Sequence, residues 1–190
     1  MNDDEYTLER FVEDLRRLNS EDHDEHRLLS TLEPLVQRFA LSRTWVDPRH
    51  YEVDSDQGFG AHVLHEEPDH TLAVFAASWL PGRGTPPHDH GTWAIVVGVD
   101  GPEKNIFWAR VDDGSRPGYA ELRQIEGKAL HPGEVLSMPA GTIHSVRNES
   151  AQITLSLHVY GKHINFTQRS QFDPVRRTRT PFIVKLASTH

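Results

Sequence analysis

The feature that most constrains the fold is a succession of short apolar segments after Pro48, each ended by a turn signal. Pairs such as Pro81-Gly82 and Asp100-Gly101 separate the segments. Many short strands with regular turn residues between them are typical of an all-β sandwich or barrel. The predicted strands are Gly60–His65, Thr71–Leu80, Thr92–Val99, Asn105–Arg110, Tyr119–Ile125, Glu134–Met138, His144–Asn148 and Ile153–Tyr160.

Apolar residues recur at helical spacing before Pro48 and predict two N-terminal α-helices. The first runs from Thr7 to about Leu18. The start of the second is open: Ser30 and Glu33 can form a capping box that puts Pro34 in the first turn, whereas a start near Glu25 places that proline inside the helix. We divide the chain into an N-terminal helical segment (1–48) that packs on the barrel, the barrel (49–172) and a C-terminal arm (173–190).

Composition removes several classes of function. The chain of 190 residues has no cysteine, which excludes disulfides, thiolate metal sites and cysteine nucleophiles. Its net charge of −8 argues against nucleic acid and anionic membranes as partners. The acidic N-terminus is unlike a signal peptide, and no apolar run approaches the roughly 18 residues of a membrane helix. We therefore expect a cytoplasmic protein, monomeric or homodimeric, with no nucleic-acid or membrane partner.

Histidine is in excess, with 13 copies, and it is the commonest metal ligand in proteins. His88 and His90 are two residues apart, so in an extended chain they point to one side. Further on, the turn Pro139-Ala140-Gly141 leads into a strand that begins with His144. Either segment alone is also compatible with a surface turn or a structural histidine.

Together the two segments resemble the paired motifs of the cupin superfamily. The family's first motif is G-x5-H-x-H-x3–4-E-x6-G, and its second is G-x5-P-x-G-x2-H-x3-N. The matching residues are Gly82, His88, His90 and Gly101 in the first motif, and Gly133, Pro139, Gly141, His144 and Asn148 in the second. The resemblance covers roughly residues 50 to 165. It implies a double-stranded β-helix (jelly-roll) barrel that holds one divalent metal.

One part of the cupin pattern is missing. The usual carboxylate ligand would fall at Ala94 or Ile95, and neither side chain can bind a metal. The remaining set of three neutral imidazoles keeps coordination positions open and keeps the full charge of the ion. Such a centre favours an anionic, chelating substrate, which supplies the missing negative charge.

A ligand set of three histidines is the signature of one cupin branch, the thiol dioxygenases, which include cysteine dioxygenase and 3-mercaptopropionate dioxygenase. The resemblance implies one Fe2+ per chain, with a small thiol and O2 as substrates and a sulfinate as product. Ser156, His158 and Tyr160 are similar to the Ser-x-His-x-Tyr triad of that branch and share one strand face. The resemblance makes Tyr160 a catalytic residue, oriented by the other two. A half-exposed strand with its polar side in water is the alternative.

Two residues are candidates for binding the substrate. The family selects its substrate with an arginine or glutamine on an early strand, and the family's spacing places that position at or near His62. Arg169 falls close to another functional arginine of the mercaptopropionate type. Two other functions remain open: a cupin dioxygenase that acts on another chelating anion, and a metal-binding cupin sensor without turnover.

Overall fold

The computed structural model describes residues 6–21 and 24–187, and in those ranges two helices precede ten strands. The acidic residues 1–5, which carry the argument against a signal peptide, lie outside them. The helices are α1 (Leu8–Glu21) and α2 (Glu25–Ser42). The strands are β1 (Phe59–Glu66), β2 (Ala73–Trp79), β3 (Ala94–Asp100), β4 (Glu103–Arg110), β5 (Leu122–Leu130), β6 (Val135–Met138), β7 (Ile143–Arg147), β8 (Thr154–Tyr160), β9 (Ser170–Asp173) and β10 (Thr178–Pro181).

The barrel is built from two antiparallel sheets. One has the strand order β1-β2-β8-β3-β6 and the other the order β5-β4-β7, while β9 and β10 pair as a hairpin. Between the sheets, the backbone of His88 bridges to His144 on β7 and to Gln171 on β9. This architecture confirms the predicted all-β, double-stranded β-helix barrel with two N-terminal helices.

The two helices cover the outer face of the five-stranded sheet. Phe11 of α1 and Phe39 of α2 stack with 4.2 Å between their ring centroids, in the same apolar cluster as Ile95 of β3 and Leu157 of β8. Strands β2 and β8 are consequently buried along their whole length. The polar face of β8 therefore lies inside the barrel, and the half-exposed alternative is wrong.

Of the two possible starts for the second helix, the earlier one occurs. Asp24 is the N-cap of α2, where its side chain accepts a hydrogen bond of 3.0 Å from the backbone N–H of Arg27. Pro34 therefore lies within the helix, at a cost of about 3 kcal/mol. Burial of Leu32, Val36 and Phe39 against the sheet offsets that cost.

The C-terminal part of the barrel departs most from the predicted elements. Strand β5 begins later than predicted, continues to Leu130 and is a largely exposed edge strand. Glycine favours turns, but Gly127 lies within this strand and pairs with Ile106 of β4. The β9–β10 hairpin crosses the boundary predicted at 172–173. The backbone N–H of Phe172 donates to the carbonyl of Pro87 at 2.8 Å, so this segment is part of the barrel wall. None of the helices in the described ranges has the length and apolar content to cross a membrane.

Candidate metal centre and substrate cavity

The structure brings His88, His90 and His144 together inside the barrel. One nitrogen of each ring lies within 4.8 Å of the others, and the Nε2 atoms of His90 and His144 are 3.2 Å apart. All three side chains are buried. The first two lie between β2 and β3, and the third lies on β7 across the barrel, so the group depends on the folded barrel rather than on one local segment.

The ring orientations suit a metal ion. His88 Nδ1–H donates to the carbonyl oxygen of Pro86 and His144 Nδ1–H donates to Oδ1 of Asn105, each at 2.9 Å. These bonds assign the tautomer that leaves the Nε2 lone pairs free. Burial lowers the pKa of His144 to about 3 and holds the pKa values of His88 and His90 well below the usual range. The rings are therefore neutral, which is the form that binds metals.

The ligand set contains no acidic side chain. Ala94 and Ile95 are both fully buried, with Ala94 in the inner cluster and Ile95 in the cluster under the helices. None of the described residues that line the cavity beside the histidines is an aspartate or glutamate. The residues present thus fit one divalent ion held by three imidazoles, and its charge is not compensated by the protein.

A hydrogen-bonded chain of Ser156, His158 and Tyr160 runs along the inner face of β8. His158 joins the other two through Nε2 to Ser156 Oγ and through Nδ1 to Tyr160 Oη, both at 2.8 Å. Burial lowers the pKa of His158 to about 3 and raises the pKa of Tyr160 above its ordinary value. The ring centroid of Tyr160 is 5.2 Å from that of His90. A neutral phenol, oriented by a neutral imidazole, therefore lies beside the three histidines.

The histidines and Tyr160 open into a small cavity of about 40 Å³. Since one water needs ~10–15 Å³ on this measure, the cavity holds a ligand of only a few heavy atoms. Its remaining walls are mostly apolar and include Phe59, Ala61, Phe75, Ala77, Trp79, Phe182 and Val184. The cavity is thus small and mostly apolar, with the three histidines, Tyr160 and Arg169 among its polar groups.

Among the described residues that line this cavity, Arg169 is the one lysine or arginine. Its side chain is buried, with Cζ 4.3 Å from the ring centroid of Phe182 and Nε donating to the carbonyl of that residue at 3.2 Å. Its Nη2 atom is buried and has no hydrogen-bond partner. Burial lowers the pKa of Arg169 to about 10, so the guanidinium stays charged at neutral pH. A buried cation with an unused donor can bind a carboxylate.

His62, the residue predicted to contact the substrate, lies on the opposite face of β1 from the cavity and does not line it. Its neighbour Ala61 lines the cavity. The His62 ring faces outward, with Nε2–H donating to the carbonyl of Glu52 at 2.9 Å and the ring centroid 5.6 Å from that of His50. Successive residues of a strand lie on opposite faces, so an estimate of position from motif spacing must be accurate to one residue to place a side chain in the cavity.

Sequence reasoning missed three residues that shape the site. Phe182 and Val184 form one wall of the cavity, and their alternation with Ile183, which is 73% exposed, was the available signal. Asn105 orients His144, and nothing in its sequence context indicated that role.

No protein-family model matches the sequence. Similar solved structures include an oxalate oxidase in complex with the substrate analogue glycolate, with 17% identity and a TM-score of 0.47 over 62% of this chain and 59% of that chain. This chain therefore spans less than two thirds of that protein. An uncharacterized double-stranded β-helix protein from Klebsiella pneumoniae has 13% identity and a TM-score of 0.46 over 66% of this chain and 94% of that chain. A cupin 2 conserved barrel domain protein from Salinispora arenicola has 19% identity and a TM-score of 0.44 over 60% and 86%.

The topology and the cavity together define a double-stranded β-helix barrel with a three-histidine group that can hold one metal ion. The side chains around that group carry the functional argument that follows.

Proposed function

We propose that the protein is an iron(II) thiol dioxygenase that converts a small thiol carboxylate to the sulfinate. The reaction R–SH + O2 → R–SO2H is balanced without a further reductant, because the sulfur gives up the four electrons that dioxygen takes. A bound Fe2+ would supply coordination of the thiolate and of dioxygen, and so lower the pKa of the thiol and bring the two together.

The observation that carries the proposal is the placement of the Ser156–His158–Tyr160 chain against the three-histidine group in one cavity. A buried strand face with a serine, a histidine and a tyrosine is costly unless these groups bond to one another or to a ligand. Here Ser156 and His158 have hydrogen-bond partners within the three-residue series, and the Tyr160 hydroxyl is its last member, at the cavity. That hydroxyl is placed to donate to, or accept from, the reacting end of a ligand.

Arg169 supports a carboxylate at the other end of the substrate. The guanidinium supplies charge and a free donor, while the apolar walls exclude water from the chain between carboxylate and sulfur. The described residues that line the cavity include no carboxylate that would neutralise an ammonium group. Among small thiols this favours a mercapto acid such as 3-mercaptopropionate over the zwitterion of cysteine.

A second candidate is a dioxygenase that acts on another chelating organic anion. The observation in its favour is the unpartnered Nη2 of Arg169, which can bind a carboxylate whether or not sulfur is present. A non-catalytic sensor that binds the same anions is the third possibility, since nothing in the recognition of the ligand requires turnover.

The test is oxygen uptake by protein loaded with Fe2+ under anaerobic conditions, with a panel of 3-mercaptopropionate, cysteine and cysteamine. We expect stoichiometric sulfinate that carries both atoms of isotope-labelled dioxygen, fastest with 3-mercaptopropionate and slowest with cysteamine, which lacks a carboxylate. Carbon–carbon cleavage of other anions without sulfur oxygenation would favour the second candidate. Ligand binding without oxygen uptake would favour the sensor.

A further inference from the structure

A buried glutamate lies behind the Ser156–His158–Tyr160 chain, and the reaction outlined above does not use it. Glu103 is the first residue of β4 and is only 1% exposed. It shares the inner face of that strand with Asn105, which orients His144. The inner face of β4 thus lies behind two parts of the site: the three-histidine group, and Ser156, which is the member of the hydrogen-bonded series farthest from the cavity.

The groups that face the Glu103 carboxyl are polar and uncharged. The Ser156 hydroxyl, the Trp79 indole and the Thr154 hydroxyl are its polar neighbours, and they favour the ionised form of the carboxyl. Burial outweighs all three and raises its pKa to about 8. Its Oε1 atom is buried without a hydrogen bond, and no cation among the described residues contributes to its pKa. A carboxyl in such surroundings is protonated at neutral pH.

The two protonation states of Glu103 require opposite directions of hydrogen bonding along the chain. A protonated carboxyl can donate to the neighbouring Ser156, whose hydroxyl then donates to His158 Nε2. Because the neutral imidazole has one N–H, its Nδ1–H must then donate to Tyr160, whose own proton points to the cavity. An ionised carboxyl accepts from Ser156, which reverses every bond, so that Tyr160 presents a lone pair to the cavity instead.

We propose that Glu103 bonds to the Ser156 hydroxyl and is a positioning residue, which acts through Ser156 and His158 and decides whether the Tyr160 hydroxyl offers a donor or an acceptor to the bound ligand. The coupling among these four residues does not depend on which ligand binds, whereas its role in catalysis rests on the proposed function. When Tyr160 gives its proton to a ligand, three successive transfers along the chain replace it and leave the charge on Glu103.

The experiment is infrared difference spectroscopy of the full chain, metal-free and loaded with Fe2+ under argon, during titration from about pH 5 to about pH 9. We expect the band of a protonated carboxyl to disappear with a midpoint near pH 8, together with a shift of the tyrosine C–O band at the same midpoint. Glu103→Gln should abolish the carboxyl band and the linked tyrosine shift. Tyr160→Phe should abolish only the tyrosine shift.

Two further variants separate coupling from a structural effect. Ser156→Ala removes the hydroxyl that links Glu103 to His158. The Glu103 carboxyl should still titrate, while the tyrosine band should no longer shift with it. Glu121→Gln, which removes a carboxylate near the unrelated Tyr119, should leave both bands unchanged. The proposal is overturned if wild type has no protonated carboxyl in this range, if the band survives in Glu103→Gln, or if the tyrosine band follows the carboxyl in Ser156→Ala. These readouts need neither thiol nor oxygen, so they stand apart from the test of the reaction.

Discussion

At the scale of single residues, the cavity is characterised by the nitrogen atoms of its buried polar side chains that remain available to a ligand. His88 and His144 use one nitrogen on a carbonyl oxygen and keep the other free. Arg169 uses Nε and keeps Nη2 free. An unpartnered buried donor such as Arg169 Nη2 is costly in a folded protein, and the imidazole nitrogens in the same small space can hold a metal ion, so these groups together suit a ligand that bonds to both.

Replacing Arg169 with glutamine should weaken recognition of the carboxylate. A hydrogen bond to a charged group contributes about 1.5–3 kcal/mol, so we expect kcat/KM for 3-mercaptopropionate to fall about 10- to 150-fold. The rate with cysteamine should change little. The matched control is Arg176→Gln, which removes a guanidinium that is 82% exposed. An equal loss with both thiols would contradict a role in binding the carboxylate.

Removing the Tyr160 hydroxyl should affect turnover rather than binding. General acid–base groups contribute typically ~10²- to 10⁴-fold, so the kcat of Tyr160→Phe should fall within that range while KM and bound iron stay near the wild-type values. The control is Tyr119→Phe, which removes a hydroxyl that donates to Glu121 and does not line the cavity. An unchanged kcat in Tyr160→Phe would show that this hydroxyl takes no part in the reaction.

At the scale of elements, β4 matters because its inner face supports two different parts of the site. Asn105→Ala should lower the affinity for Fe2+ by roughly 10- to 100-fold, since residues that orient ligating histidines typically have effects of that size. Competition with a chelator under anaerobic conditions measures it. Lys104→Ala, on the outer face of the same strand and paired with Glu149, should have wild-type affinity. A wild-type affinity in Asn105→Ala would show that His144 needs no such support.

The elements also show what the sequence could and could not predict. Turn residues and apolar alternation sufficed to predict β1 to β8, except for the bounds of β5, and the motif spacings placed the three histidines. The face on which His62 lies could not be predicted, because one residue of register exchanges the faces of a strand. Glu103 could not be found either, since a glutamate at a strand end is normally solvated and only the packed sheets show that this one is buried.

At the scale of the whole molecule, burial of Glu103 makes stability depend on pH. The folded pKa is raised to about 8 from about 4.5, so between these values the folded protein holds a proton that the unfolded chain releases. The contribution of this group to stability is complete below about pH 4.5 and is lost as pH rises through about 8. The slope is at most about 1.4 kcal/mol per pH unit.

The comparison of wild type with Glu103→Gln isolates that contribution, because every other titrating group is common to both. Urea denaturation across the same pH range should show the free energy of unfolding of wild type falling relative to the variant as pH rises. A difference that is constant with pH would mean that the carboxyl titrates normally in the folded barrel.

The central claim is that three imidazoles hold one metal ion and leave its far side to the sulfur of a substrate. X-ray absorption by the anaerobic, Fe2+-loaded protein tests it most directly, before and after addition of 3-mercaptopropionate. We predict one iron per chain with three imidazole ligands, and a new sulfur ligand when the thiol is added. A carboxylate already in the coordination sphere, or no sulfur after addition of the thiol, would contradict the account.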